Sequence, residues 1–296
     1  MSDQRRGALY GVTAYLIWGF AALYWMQTEP VDSRDLLAHR ALWSVPFVFL
    51  CLLVSGRLAG ALRLMTQPRV LGIMAIAALL GGTNWLIFLW AISNGQATEA
   101  SLGYFLLPLL NVVIGLTVFN EKIDRAQQVG IAFAIAAVLL QFVYHGGLPL
   151  VALGLAGSFS LYGAIRKKVS VDSLEGLFIE TLMMSPFALA WMLTHEWAGL
   201  GAHGLKVDLF LLGAGAFTAI PLITYVASSR LLPLTALGLI FYIGPTAQLL
   251  VALLVFKEPF DLVQAIAFGM VWVGLAFVTA DSLRRSRRQR AAQKLE

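Results

Sequence analysis

Charge is what this sequence has least of. Only 12% of its 296 residues are Asp, Glu, Lys or Arg, and 59% are hydrophobic. A soluble domain carries about 25% charged residues. Mean hydropathy is +0.79. A chain this short cannot hide so many apolar side chains in a water-soluble core, which excludes a soluble enzyme, a secreted disulfide scaffold and a disordered regulator. The single cysteine, Cys51, excludes an internal disulfide framework and a thiolate metal site. It lies in an apolar run and reads as a small packing residue. There is no P-loop stretch of the GxxxxGK type, which argues against ATP-driven pumping. GxSxG, HExxH and CxxC are also missing. His195 and His203 lie too far apart for a compact metal site. Neither metal nor cofactor is expected.

What is present is one apolar run after another. About 20 such residues cross the hydrocarbon core of a bilayer. Charges, Gly and Pro divide the chain into ten candidate spans, near 7–27, 36–55, 70–92, 98–119, 127–143, 148–165, 175–193, 208–230, 235–256 and 262–280. The expected fold is an all-α polytopic membrane protein. The first run lacks a small-residue cleavage site and reads as retained. With both termini in the cytoplasm, 17 of the 21 Lys and Arg lie inside, and only Arg34, Arg40, Lys206 and Lys257 lie outside. That satisfies the positive-inside rule. The basic tail, 282–296, then reads as a topology and headgroup anchor rather than a nucleic-acid site.

The two halves of the chain resemble each other. At an offset of 137, Leu102, Pro108, Leu116, Phe119 and Glu121 fall on Leu239, Pro245, Leu253, Phe256 and Glu258. At an offset of 140, Leu42, Pro46 and Phe47 fall on Leu182, Pro186 and Phe187. Each half, 7–143 and 148–281, then holds five spans. An odd number inverts the second half in the membrane, a recurring plan of secondary transporters that bind substrate between the halves and rock to alternate sides.

The glutamates closing each half's fourth span (Phe119-Asn120-Glu121 and Phe256-Lys257-Glu258) resemble the EamA repeat of the drug/metabolite transporter superfamily. Tyr15-Leu16-Ile17-Trp18-Gly19, Leu36-Leu37-Ala38-His39-Arg40, Leu102-Gly103-Tyr104-Phe105 and Tyr242-Ile243-Gly244-Pro245-Thr246 are similar to its RarD branch of bacterial inner-membrane proteins. The resemblance covers roughly 7–281. It implies a multi-pass inner-membrane exporter of small organic molecules. The branch is named for chloramphenicol sensitivity, which does not identify a substrate.

Ionisable groups inside a span are functional candidates by default. Glu180 sits about five residues into the seventh span, roughly 7 Å deep. Its repeat mate is Arg40, near the opposite side. Arg40 and Glu99 are expected to meet and close an outer gate, and Glu180 to couple protons or hold a cationic group. The plainer reading makes all three helix-end residues. Asn84, Asn111 and Gln248 are neutral polar candidates. The latter two each lie three residues past a mid-span proline that frees a carbonyl. Trp18, Trp85, Tyr104 and Tyr242 complete the expected substrate contacts, with Trp18 and Trp85 favoured over Trp25 by depth. These aromatics equally suit interfacial belts. The expected partners are a small-molecule substrate, the lipid bilayer and protons as candidate coupling ion. A membrane receptor or scaffold and an intramembrane enzyme are the rival classes.

Overall fold

The computed structural model describes residues 3–94, 96–145, 150–195, 200–257 and 261–292, with side chains described except at 92, 93, 97–99, 101, 145 and 282–292. Among the described residues the chain is helical throughout. The first interval holds α1 (Asp3–Gly19), α2 (Ala21–Trp25) and a 3-10 turn, Met26–Thr28. The second to fifth hold α3 (Ser33–Val54), α5 (Pro68–Ser93), α6 (Ala97–Thr117) and α7 (Arg125–His145), with α4 (Leu58–Met65) between the second and third. The sixth to eighth hold α8 (Leu150–Lys168), α9 (Ser173–Thr194) and α10 (Leu205–Leu231). The ninth is α11 (Leu234–Phe241) and α12 (Ile243–Val251) with a π-helical end, and the tenth is α13 (Leu262–Ala292).

Among the described residues, seven helices are long and apolar enough to cross a membrane, and the α1–α2 pair, bent by 45°, makes an eighth. Helix α8 falls short because Gly154, Gly157, Ser158, Ser160 and Gly163 dilute its hydropathy and Arg166, Lys167 and Lys168 end it. Two features depart from the sequence reading. The short helix α4 occupies what reads as a loop. The first and ninth intervals are broken, at Phe20 and Tyr242. The eighth remains one helix through Pro221, a residue type that ordinarily kinks or ends a helix.

The polarity of the molecule is inverted relative to a soluble protein. Val54, Val143, Phe187, Leu193 and Leu254 are exposed, whereas Arg166, Glu180, Asn111, Gln141 and Thr218 are buried. A lipid-facing surface demands this arrangement, since polar groups inside the bilayer must satisfy one another.

Local chemistry recurs at the repeat offsets. Asp32 and Asp172 each cap the N-terminus of their helix, accepting from Arg34 N and Leu174 N. Asp124 and Gln127 form a reciprocal box, and so do Asp261 and Gln264. Asn120 and Lys257 both turn the chain with positive φ, 51° and 54°. Helix neighbours exchange in the same way: α1 packs on α10 as α8 packs on α5, and α6 on α8 as α12 on α1. The pairs α3–α9, α6–α11 and α7–α13 lie across the exchange axis. Small residues permit the closest crossings. A Cβ on Gly215 would lie 2.1 Å from the Trp43 carbonyl oxygen, so α3 and α10 touch backbone to backbone there.

Candidate functional site

The middle of the bundle is filled by aromatic rings from both halves. Tyr15 and Trp18 come from α1, Phe159 and Tyr162 from α8, Tyr225 from α10 and Phe241 from α11. Tyr15 lies 5.8 Å from Trp18 and 5.1 Å from Phe241, and Trp18 lies 5.7 Å from Phe159 and 5.8 Å from Tyr225. Tyr104 joins the train through Phe241, and Tyr162 through Phe159 and Tyr225. The Tyr15 and Tyr225 hydroxyls are buried with no hydrogen-bond partner among the described residues. The train therefore links two charged ends, one at Arg40 and one at Glu180.

At the first end, Arg40 stands two turns into α3. Its Nε donates to the Thr218 hydroxyl across the bundle (3.1 Å). The guanidinium lies over Trp25 at 4.9 Å and over Trp85 at 5.0 Å. The Tyr104 phenol is within electrostatic reach. Thr218 is its one hydrogen-bond acceptor among the described residues. Arg40, Trp25, Trp85, Tyr104, Trp18 and Phe159 are all only half-buried. The side chain of Glu99, expected to meet Arg40, lies outside the described residues.

The second end is sealed. Glu180 is 3% exposed and Arg166 0%. Arg166 Nε approaches Glu180 Oε1 at 3.2 Å, and the Tyr162 hydroxyl donates to Oε2 at 3.1 Å. The other guanidinium nitrogens donate to the Ser173 carbonyl and to the Met74 sulfur, and a Cβ on Gly176 would overlap the group. Close by, the halves are tied together by charge. Lys167 pairs with Glu121 (3.6 Å) and Arg57 with Asp172 (2.8 Å). Glu121 also accepts from Leu234 N and Thr235 N (2.7 and 3.0 Å). It thereby caps α11, whose own N-cap position is Pro233 and has no side-chain oxygen to offer. At the Arg40 end the halves meet, among the described residues, through hydrogen bonds: besides Arg40 on Thr218, the Tyr24 hydroxyl donates to the Phe210 carbonyl and Trp191 Nε1 to Asp35.

The sequence-derived candidates divide. Trp18, Trp85, Tyr104, Arg40 and Glu180 lie along the aromatic train or at its ends. Asn84 Nδ2 donates to the Leu155 carbonyl and the Ser158 hydroxyl, holding α5 to α8. Gln248 donates to the Trp18 carbonyl at 3.4 Å. Asn111 is 0% exposed at the α6–α11 crossing, its amide without a partner among the described residues. Tyr242 packs in a separate cluster with Phe105, Ala134 and Val271, its hydroxyl on the Phe105 carbonyl. Sequence reasoning missed Arg166, Trp25 and Thr218. Arg166 is hidden in the run Arg166-Lys167-Lys168, which reads as a topology signal. The need of buried Glu180 for a cation at its own depth is the signal that could have found it.

Residues 5–143 match the EamA-like transporter family. "Protein RarD" of Salmonella typhi is 36% identical over 288 residues, covering 96% of this chain and 98% of that one. "Chloramphenicol-sensitive protein RarD" of Pseudomonas aeruginosa is 33% identical over 291 residues, covering 96% and 97%. An "Uncharacterized transporter" of Vibrio cholerae is 36% identical over 296 residues, covering 98% and 97%. A solved crystal structure superposes with a TM-score of 0.72 at 22% identity, covering 93% of this chain and 97% of that one, which is a likeness of fold.

Proposed function

This chain belongs to the EamA-type drug/metabolite transporters, in the RarD branch, and on that premise we propose that it exports small organic metabolites or drugs across the bacterial inner membrane by alternating access. The moving parts are the two five-span halves, 7–143 and 148–281, in inverted orientation. Both termini and the basic tail 282–296 are cytoplasmic. The exchange of helix neighbours and the recurrence of caps at the repeat offsets support this division.

One observation carries the reading. An aromatic train contributed by both halves runs from a half-buried end to a sealed one. Trp18, Trp85 and Tyr104 are the substrate contacts it supports best. Asn84, Asn111, Tyr242 and Gln248 serve by shaping the helices around it. At the sealed end the inter-half ties Lys167–Glu121 and Arg57–Asp172 must part for the solute to reach the other side. Glu180 and Arg166 both belong to the second half, so their pair makes α8 and α9 move as one body. Glu180 is thus assigned to gating. It offers a proton site only in a state where Arg166 withdraws.

The test is solute flux in proteoliposomes with a panel of amphipathic metabolites and antibiotics, with and without a pH gradient. Saturable flux of at least one compound, lost when Trp18 and Trp85 are both replaced by Ala, is the expected result. Flux indifferent to the gradient fits Glu180 as a gating residue. Gradient-driven accumulation abolished by Glu180→Gln reassigns it to proton coupling. Absence of flux by folded protein for every compound overturns the transport reading in favour of a receptor or scaffold.

A further inference from the structure

We propose that Arg40 is an anion subsite, and that the solutes taken by this passage are aromatic or amphipathic molecules bearing a carboxylate. The inference rests on the reading of the aromatic train as the solute path. It adds a substrate class and moves Arg40 from gate to ligand contact.

A cation inside a membrane protein is costly. Such a group survives where a counter-charge, a dipole or a cavity compensates it. The Arg166 guanidinium has Glu180. The Arg40 guanidinium has two indole faces and one hydroxyl, and no carboxylate among the described residues. Indole faces hold a cation in place without neutralising it. Thr218 takes the Nε hydrogen, which fixes the plane of the fork. The two terminal nitrogens are left as parallel donors, the arrangement that grips a carboxylate with two hydrogen bonds. The half-buried Trp85 and Tyr104 stand beside the guanidinium, placed to cover an apolar ring. A lysine would not do this: it has neither the fork nor the planar face that lies flat on indole.

The asymmetry with the repeat mate strengthens the point. Position 180 carries a carboxylate and has its cation built in. Position 40 carries a cation that has no carboxylate beside it among the described residues. Snorkelling of Arg40 to the interface is opposed by the hydrogen bond to Thr218 and by the rings on two sides of it.

The test is binding, read independently of transport. The full chain in nanodiscs is titrated calorimetrically with phenylacetate and 3-phenylpropionate, and with their neutral amides. The wild type is expected to favour each acid over its amide by at least about tenfold, the effect of one charge-assisted pair. Arg40→Gln should abolish that preference while still binding the amide, and Arg40→Lys should restore it only in part. Arg63→Gln, which removes an exposed cation on α4, should leave it unchanged. Glu99→Gln should preserve or increase it. Equal affinity for acid and amide overturns the proposal. So does a preference that persists in Arg40→Gln, or failure of the folded wild type to bind any of the acids. Flux of neutral solutes without a preference for acids would sink this inference and leave the transport reading intact.

Discussion

Positions 40 and 180 stand 140 residues apart, at matching places in the two repeats, and they hold opposite charges in opposite surroundings. Arg40 lies half-buried between two indoles, with a threonine hydroxyl as its acceptor. Glu180 lies fully enclosed, matched by an arginine and a tyrosine of its own half. A similar helical pattern recurs in the two halves of the chain, and at the matching positions one charge is enclosed with its counter-charge while the other has no carboxylate among the described residues. A charge satisfied from within its own half makes that part move as one body, which is the role proposed for Glu180 in gating. Arg40, with no carboxylate beside it among the described residues, is where we propose the charge of a ligand sits.

That contrast can be broken most violently at the sealed end. Arg166→Leu leaves Glu180 buried and unpaired, which should cost about 3–5 kcal/mol. The expected outcome is a large fall in melting temperature and yield in detergent, with Arg166→Leu/Glu180→Leu recovering much of it. A single variant as stable as wild type would show that the pair contributes little. Next is Gly215→Ala. The added methyl meets the Trp43 carbonyl at 2.1 Å, and prying α3 from α10 should cost about 1–3 kcal/mol and displace Thr218 from Arg40. Thermal melting should fall, and the preference for acids with it. Asn84→Leu loses two hydrogen bonds from α5 to α8, worth about 0.6–1.7 kcal/mol in a membrane protein. It should lower the melting temperature modestly and leave acid preference alone. Smallest of all is the net effect of Arg40→Gln on stability, below about 1 kcal/mol, because the lost hydrogen bond and ring contacts are offset by the removal of a costly cation from the membrane interior. A large loss of stability there would make Arg40 structural like Arg166 and erase the comparison.

The architecture was legible because membrane helices announce themselves by hydropathy. The ten intervals coincide with helices, with ends displaced by a few residues. The breaks at Phe20 and Tyr242 were not legible. Both fall inside apolar runs; the second lies one turn before Pro245, which has no N–H to give the Phe241 carbonyl, but Pro108 and Pro221 sit within unbroken helices, so a proline alone does not mark a break. Helix α4 escaped because it is short and lies between basic residues that read as a loop. At the candidate site, Arg40, Glu180, Trp18, Trp85 and Tyr104 were found because charges and large rings are rare or conspicuous within spans. Their partners were not. Arg166 belongs to a basic cluster with a sufficient explanation of its own, Thr218 is one of many hydroxyls, and Trp25 sits at a span end where tryptophan is ordinary. Asn84 and Tyr242 show the converse. Both satisfy the sequence criteria for a substrate contact, and both give a donor to a neighbouring helix, Asn84 Nδ2 to α8 and the Tyr242 hydroxyl to α6.

The most direct measurement of the open and sealed ends uses the chain's single cysteine to advantage. Cys51→Ser gives a thiol-free background in one step. Trp85→Cys and Tyr162→Cys are then placed in it separately and exposed, in right-side-out and inside-out vesicles, to a membrane-impermeant maleimide. Trp85→Cys should label from the face opposite the termini, and Tyr162→Cys should resist labelling from either face until the protein is unfolded. Rapid labelling of Tyr162→Cys from the face opposite the termini, or protection of Trp85→Cys there, would contradict the assignment.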